Sequence, residues 1–142
     1  MGDKNIEHLL KTAKTIAVVG LSPKVARASY EVADYMQKNG YRILPINPSR
    51  AGSVILGEPC YANLADAVAT TGLKIDIVNC FRKSEDIPPI VDEAIAVGAA
   101  CVWMQLDIIN EAAAALAEKA GIQVIMDKCL KIEHATRAAS KH

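Results

Sequence analysis

Along this chain, short runs of β-branched and apolar residues repeatedly stop at a glycine or polar cluster and give way to a helical apolar stripe. Thr15-Ile16-Ala17-Val18-Val19-Gly20 is the first such run, and its pattern is that of a strand buried on both faces. Tyr41 to Ile46, Ile75 to Cys80, Ala99 to Met104 and Ile122 to Met126 repeat it. Between them lie stripes such as Val32, Ala33, Met36 and Ile87, Ile90, Val91, Ala94, Ile95, spaced for helices. Strands alternating with helices imply a parallel sheet covered on both sides. The expected fold is α/β: a Rossmann-like three-layer sandwich with a five-stranded, mostly parallel sheet. The expected strand order is 3-2-1-4-5.

Local signals refine the elements. Ile6, Leu9, Leu10 and Ala13 predict an amphipathic helix at the N-terminus. Residues 21–28 read as a loop, followed by a helix from about Ser29 to Asn39-Gly40. Pro45 removes a ladder donor, so that end of its strand belongs near an edge or a local irregularity. Val54 to Gly57 is a brief extended piece, and a short helix carries Leu64 and Val68. Ser84 is expected to cap the helix whose first turn holds Pro88 and Pro89. An alanine-rich helix spans Asn110 to Ala120, and a polar tail begins after His134. The 142 residues make one domain, with no linker or repeat.

Composition removes several function classes. Sixteen basic residues balance sixteen acidic ones, so no overall field attracts nucleic acid or an anionic membrane. No apolar run approaches the roughly 20 residues of a membrane span. Met1-Gly2 lacks the Ser or Thr that myristoylation wants, since Ile6 stands there. Cys60, Cys80, Cys101 and Cys129 form no Cys-x-x-Cys pair, and no metal site is expected. Cys80 and Cys101 read as buried thiols, and the expected compartment is the cytoplasm.

In an open parallel sheet, ligands bind beyond the carboxyl ends of the strands, where the winding reverses. Those ends carry Gly20-Leu21-Ser22-Pro23-Lys24, Asn47-Pro48-Ser49-Arg50, Phe81-Arg82-Lys83, Gln105 and Asp127. Gly20 suits close backbone approach, Ser22 offers a hydroxyl and an N–H, and the next helix start favours an anion. Lys24 and Arg27 add positive charge. A plain strand-to-helix turn with two solvated cations has the same local sequence. A dinucleotide fingerprint would need glycines where Ser22 and Val25 stand, and NAD sites use an acidic residue where Asn47 stands. The neutral-to-basic Asn47, Ser49 and Arg50 suit a phosphorylated ribose, that of NADP or of coenzyme A.

Ile16 to Lys24, Arg27-Ala28-Ser29-Tyr30, Pro45-Ile46-Asn47-Pro48, Val78 to Arg82, Trp103 to Leu106 and Met126 to His134 together resemble the small stand-alone CoA-binding proteins. That family is related to the CoA-binding N-terminal domain of succinyl-CoA ligase α subunits. The resemblance implies that the first loop and helix start take the pyrophosphate. It places Asn47, Pro48 and Ser49 on the adenosine side, Phe81 as packing, and Arg82 on a phosphate. The cofactor-binding set is therefore Gly20, Leu21, Ser22, Lys24, Arg27, Ser29, Asn47, Pro48, Ser49, Phe81 and Arg82, with Lys24 and the additional Arg50 its weaker members.

No catalytic residue is assigned. His8 falls in the first helix, and His134 and His142 fall in the tail. Asp127, Cys129, Glu133 and His134 form the best remaining cluster, but the Cys129–His134 spacing fixes no geometry. Trp103 reads as core packing. Two readings stand: a non-catalytic module that binds CoA or acyl-CoA, or a small NADP-linked enzyme. Protein partners and oligomeric state are left open.

Overall fold

The computed structural model describes residues 2–139; Met1 and His142, both considered above, fall outside them. The chain runs through α1 (Gly2–Thr12), β1 (Thr15–Val19), α2 (Ala28–Lys38), β2 (Arg42–Ile46), β3 (Val54–Ile55), β4 (Glu58–Pro59) and α3 (Leu64–Thr71). It continues through β5 (Ile77–Cys80), α4 (Ile87–Val97), β6 (Cys101–Met104), α5 (Glu111–Lys119), β7 (Gln123–Ile125) and α6 (Leu130–Ala139). Among the described residues, no helix is long and apolar enough to cross a membrane.

Strand side chains alternate between faces, and that alternation builds two cores. Ala17, Val19, Leu44, Ile46, Val78, Cys80, Val102 and Met104 meet α3, α4 and α5 on one face. Ile16, Val18, Ile43, Ile77, Cys101, Trp103 and Ile125 meet α1, α2 and Leu130 of α6 on the other. Burying each large aliphatic side chain contributes about 1.5–3 kcal/mol. That gain, distributed over both faces, is why the strands read as continuous apolar runs. Trp103 is fully buried, and its Nε1 donates to the Lys128 carbonyl at 2.8 Å.

The five-stranded sheet is parallel, in the order β2-β1-β5-β6-β7. Counted within the sheet, this is 2-1-3-4-5, which corrects the expected 3-2-1-4-5. The extended piece after β2 is too short to lie along it. Leu56 and Gly57 take left-handed conformations (φ 55° and 76°) and fold the piece back as the β3–β4 hairpin. Tyr61 bridges to Ile46 of β2 in parallel, and Glu58 of β4 pairs with Arg42 of β2 at 2.7 Å. β2 is one edge strand of the sheet and β7 the other. The Pro45 carbonyl accepts from the Tyr61 N–H on the outer side, so the donor Pro45 lacks faces away from β1.

Two further local expectations are revised. Ser84 opens a 3-10 turn (Ser84–Asp86) instead of capping a helix, and its Oγ accepts from the Ile109 N–H at 3.0 Å. The segment read as a polar tail continues α6 to Ala139, with Glu133 and Arg137 paired one turn apart at 2.9 Å.

Candidate functional site

β1 and β5 are neighbours, yet their connections diverge. α2, which follows β1, packs on one face, and α4, which follows β5, packs on the other. A crevice opens between their carboxyl ends, the position where open α/β sheets bind ligands.

Gly20 sits at its floor with φ +88°, its N–H donating to the Ile46 carbonyl at 2.7 Å. A Cβ there would lie 2.5 Å from the Phe81 carbonyl oxygen and 3.4 Å from Arg82 Nε. Glycine is thus required by the chain's own neighbouring strand end, before any ligand is considered. Leu21 is fully buried and closes the core beneath the loop. The Ser22 N–H donates to Ser29 Oγ at 3.0 Å, and Ser22 Oγ accepts from the Lys24 N–H at 3.1 Å. These two serines brace the loop and keep their hydroxyl hydrogens for other acceptors.

Arg27 is the N-cap of α2, in extended conformation, and no side chain caps that helix. Its first backbone N–H groups are left for an anion. Glu31, the acidic residue of that first turn, is paired with Lys131 at 3.0 Å. Lys24 and Arg27 are exposed at the rim.

Asn47 joins the second loop to the first. Its Nδ2 donates to the Leu21 carbonyl at 3.0 Å, and its Oδ1 accepts from the Ser49 N–H at 3.0 Å. Pro48, Ser49 and Arg50 form an exposed 3-10 turn. The structure thus brings Gly20, Asn47, Phe81 and Arg82 together.

Two cavities flank this point. One, of about 290 Å³, is lined by Val19, Ile46, Pro48, Ala62, Ile90, Asp86 and Glu93. The other, of about 370 Å³, is lined by Ala28, Val32, Phe81, Lys83, Gln105, Leu106, Ile108 and Cys129. Arg82 lines both. Among the described residues it has no ion-pair partner.

Asp86, Glu93, Ala62 and Ile108 escaped the sequence reading, because the path of the crossovers brings them here and no local motif marks them. Gln105 was visible as a polar strand end, but its role was not. Its Oε1 accepts from Asn79 Nδ2 and from the Leu130 N–H, both at 3.0 Å, tying β5, β6 and α6 together.

The Asp127–His134 cluster is dispersed among separate partners. Asp127 accepts from the Asp107 N–H at 2.7 Å, and Glu133 pairs with Arg137. His134 Nδ1 meets the Tyr35 hydroxyl at 2.8 Å, with its ring edge-on to Tyr35 and Tyr41. Burial pushes the Cys80 thiol up to about 12 and raises that of Cys101 further, with Cys80 adding to the latter. Burial also raises Cys60, against a smaller lowering by a backbone hydrogen bond with Asn47. These three thiols stay protonated at neutral pH, while Cys129 is only partly buried.

A doubly wound parallel sheet with an uncapped helix start and a cation at its switch point defines a nucleotide-binding type of domain. Its family is clear from the sequence: residues 14–135 match the CoA binding domain family, and the chain belongs to it. The uncharacterized protein YneT of Bacillus subtilis (strain 168) is 37% identical over 130 residues, covering 92% of each chain. The solved structure of cell-free ID.343 from Thermus thermophilus is 33% identical with a TM-score of 0.89, covering 96% of this chain and 98% of that one. A hypothetical protein from Pyrococcus horikoshii OT3 is also 33% identical, with a TM-score of 0.87 over 96% of this chain and 92% of that one.

Proposed function

We propose that this protein binds CoA or an acyl-CoA through its 3′-phospho-ADP end and serves as a non-catalytic carrier or sensor. The observation that carries the reading is Arg82 standing between two cavities, next to Gly20 and the start of α2. A ligand with two dissimilar arms joined by a diphosphate fits that plan. The diphosphate belongs on the saddle, because Asp86 and Glu93 in the first cavity would repel it. Those carboxylates suit the amino and hydroxyl groups of adenosine, whose base packs on Ile46, Pro48 and Ala62. Ser49 and Arg50, exposed beyond β2, take the 3′-phosphate. The four unpaired cysteines fit a reducing cytoplasm.

The carboxylate-free end of β2 also favours a second reading, NADP as ligand of a small enzyme. Calorimetry with CoA, dephospho-CoA, NADP and NAD separates the two. CoA is expected to bind, dephospho-CoA more weakly by about 1.5–3 kcal/mol for a lost charged contact, and NAD not at all. NADP binding without CoA binding overturns the proposal. Equal affinity for CoA and dephospho-CoA removes Ser49 and Arg50 from the site.

A further inference from the structure

The 370 Å³ cavity holds two groups that the nucleotide end leaves unused, Gln105 and Cys129. Gln105 is only 6% exposed. The Leu130 N–H can only donate, so the carboxamide atom it meets is oxygen, and Nε2 is the other. That Nε2 has no acceptor among the described residues, although it belongs to a buried side chain on the cavity wall. A donor left on the cavity wall in this way suits a carbonyl oxygen from a ligand. Ala28, Val32, Phe81, Leu106 and Ile108 supply the apolar remainder. Cys129 lines the same cavity, and it is the one cysteine of the four that is not buried.

Resting on the CoA reading, we propose that this cavity takes the amide-bearing thiol arm and that Cys129 forms a mixed disulfide with it. The oxidant is CoA disulfide. The Cys129 thiolate attacks one sulfur of the CoA–S–S–CoA bond, and that bond breaks as Cys129–S–S–CoA forms. The departing CoA thiolate takes up the proton that Cys129 gave up. Cys129 is oxidised, and the released CoA sulfur is reduced to the thiol. The protein then holds CoA covalently when the thiol pool is oxidised and releases it on reduction.

The reduced full-length protein is incubated with CoA disulfide or with oxidised glutathione, followed by intact mass and peptide mapping. CoA binding is measured separately by calorimetry. The expected result is one adduct, the mass of CoA less two hydrogens, on the Cys129 peptide and reversed by dithiothreitol. Docking of the nucleotide end makes the exchange effectively intramolecular, so it should outpace glutathione on the order of 100-fold. Cys129→Ser should lose the adduct. CoA binding without a Cys129 adduct, an adduct on another cysteine, or equal rates with both disulfides overturns this inference alone. Absence of CoA binding overturns the reading beneath it.

Discussion

The two cavities open on either side of one arginine, but their chemistry differs. The first, on the face of α3 and α4, mixes Ile46, Pro48 and Ala62 with the carboxylates of Asp86 and Glu93. The second, on the face of α2 and α6, is apolar apart from Arg82, Lys83, Gln105 and Cys129. Neighbouring positions at a strand end point to opposite faces, so one sheet edge can present two unlike surfaces a single residue apart. Phe81 and Arg82 do this at the end of β5: Phe81 packs with the α2 side, while Arg82 stays between. The difference matches a ligand with a polar head, a charged hinge and a less polar arm.

The largest blow to that arrangement is Gly20→Ala. The new Cβ would meet the Phe81 carbonyl at 2.5 Å in a left-handed conformation, and the β1–β5 ends would have to part. A stability loss of at least about 2 kcal/mol is expected, together with loss of CoA binding. A denaturation midpoint equal to wild type would show that the saddle does not need the close approach.

Arg82→Ala tests whether the cavities serve one ligand. Calorimetry should show CoA affinity falling by about 1.5–3 kcal/mol, with little change in melting temperature because Arg82 holds no ion pair among the described residues. Unchanged affinity would mean that the two cavities are separate features.

Alkaline titration probes the cores beneath the two faces, since Cys80 belongs to one and Cys101 to the other. Their folded thiols titrate above the ordinary value of 9.0, so above pH 9 the unfolded chain loses protons that the folded chain keeps. Stability is therefore full below pH 9 and falls as pH rises toward about 12. The expected slope is about 1 kcal/mol per pH unit for each thiol. Chemical denaturation at pH 8 and pH 10 reads it, and a flat profile would place these thiols in contact with water.

The smallest expected effect is that of Arg50→Ala. An exposed cation on the 3-10 turn should change CoA affinity by no more than about 1 kcal/mol and leave stability unmoved. The change should vanish with dephospho-CoA, which lacks the phosphate assigned to Arg50. A loss of the same size with both ligands would assign Arg50 to another part of the ligand.

Much of the candidate site was legible because its residues lie in strand-end loops, which periodicity alone locates. Gly20, Asn47 and Phe81-Arg82 were found in this way. Their work was less legible. Asn47 and Ser29 read as ligand contacts, but their side chains fasten the loops, to Leu21 and Ser22 respectively. Gln105 and Cys129 could not be paired from sequence, since β6 and the start of α6 meet only after β7 is in place.

By itself, the sequence determined the alternation of strands and helices, the two-faced core and the glycine at the first strand end. Each follows from the side-chain period of a strand or helix, or from backbone sterics, and so is written locally. Only the tertiary structure decided the order 2-1-3-4-5, the Phe81 carbonyl that makes glycine obligatory at position 20, and the placing of Arg82 between two unlike cavities. Those depend on contacts between residues dozens of positions apart. A hydrophobic pattern states which side of a strand is buried, but it does not state which strand lies beside it.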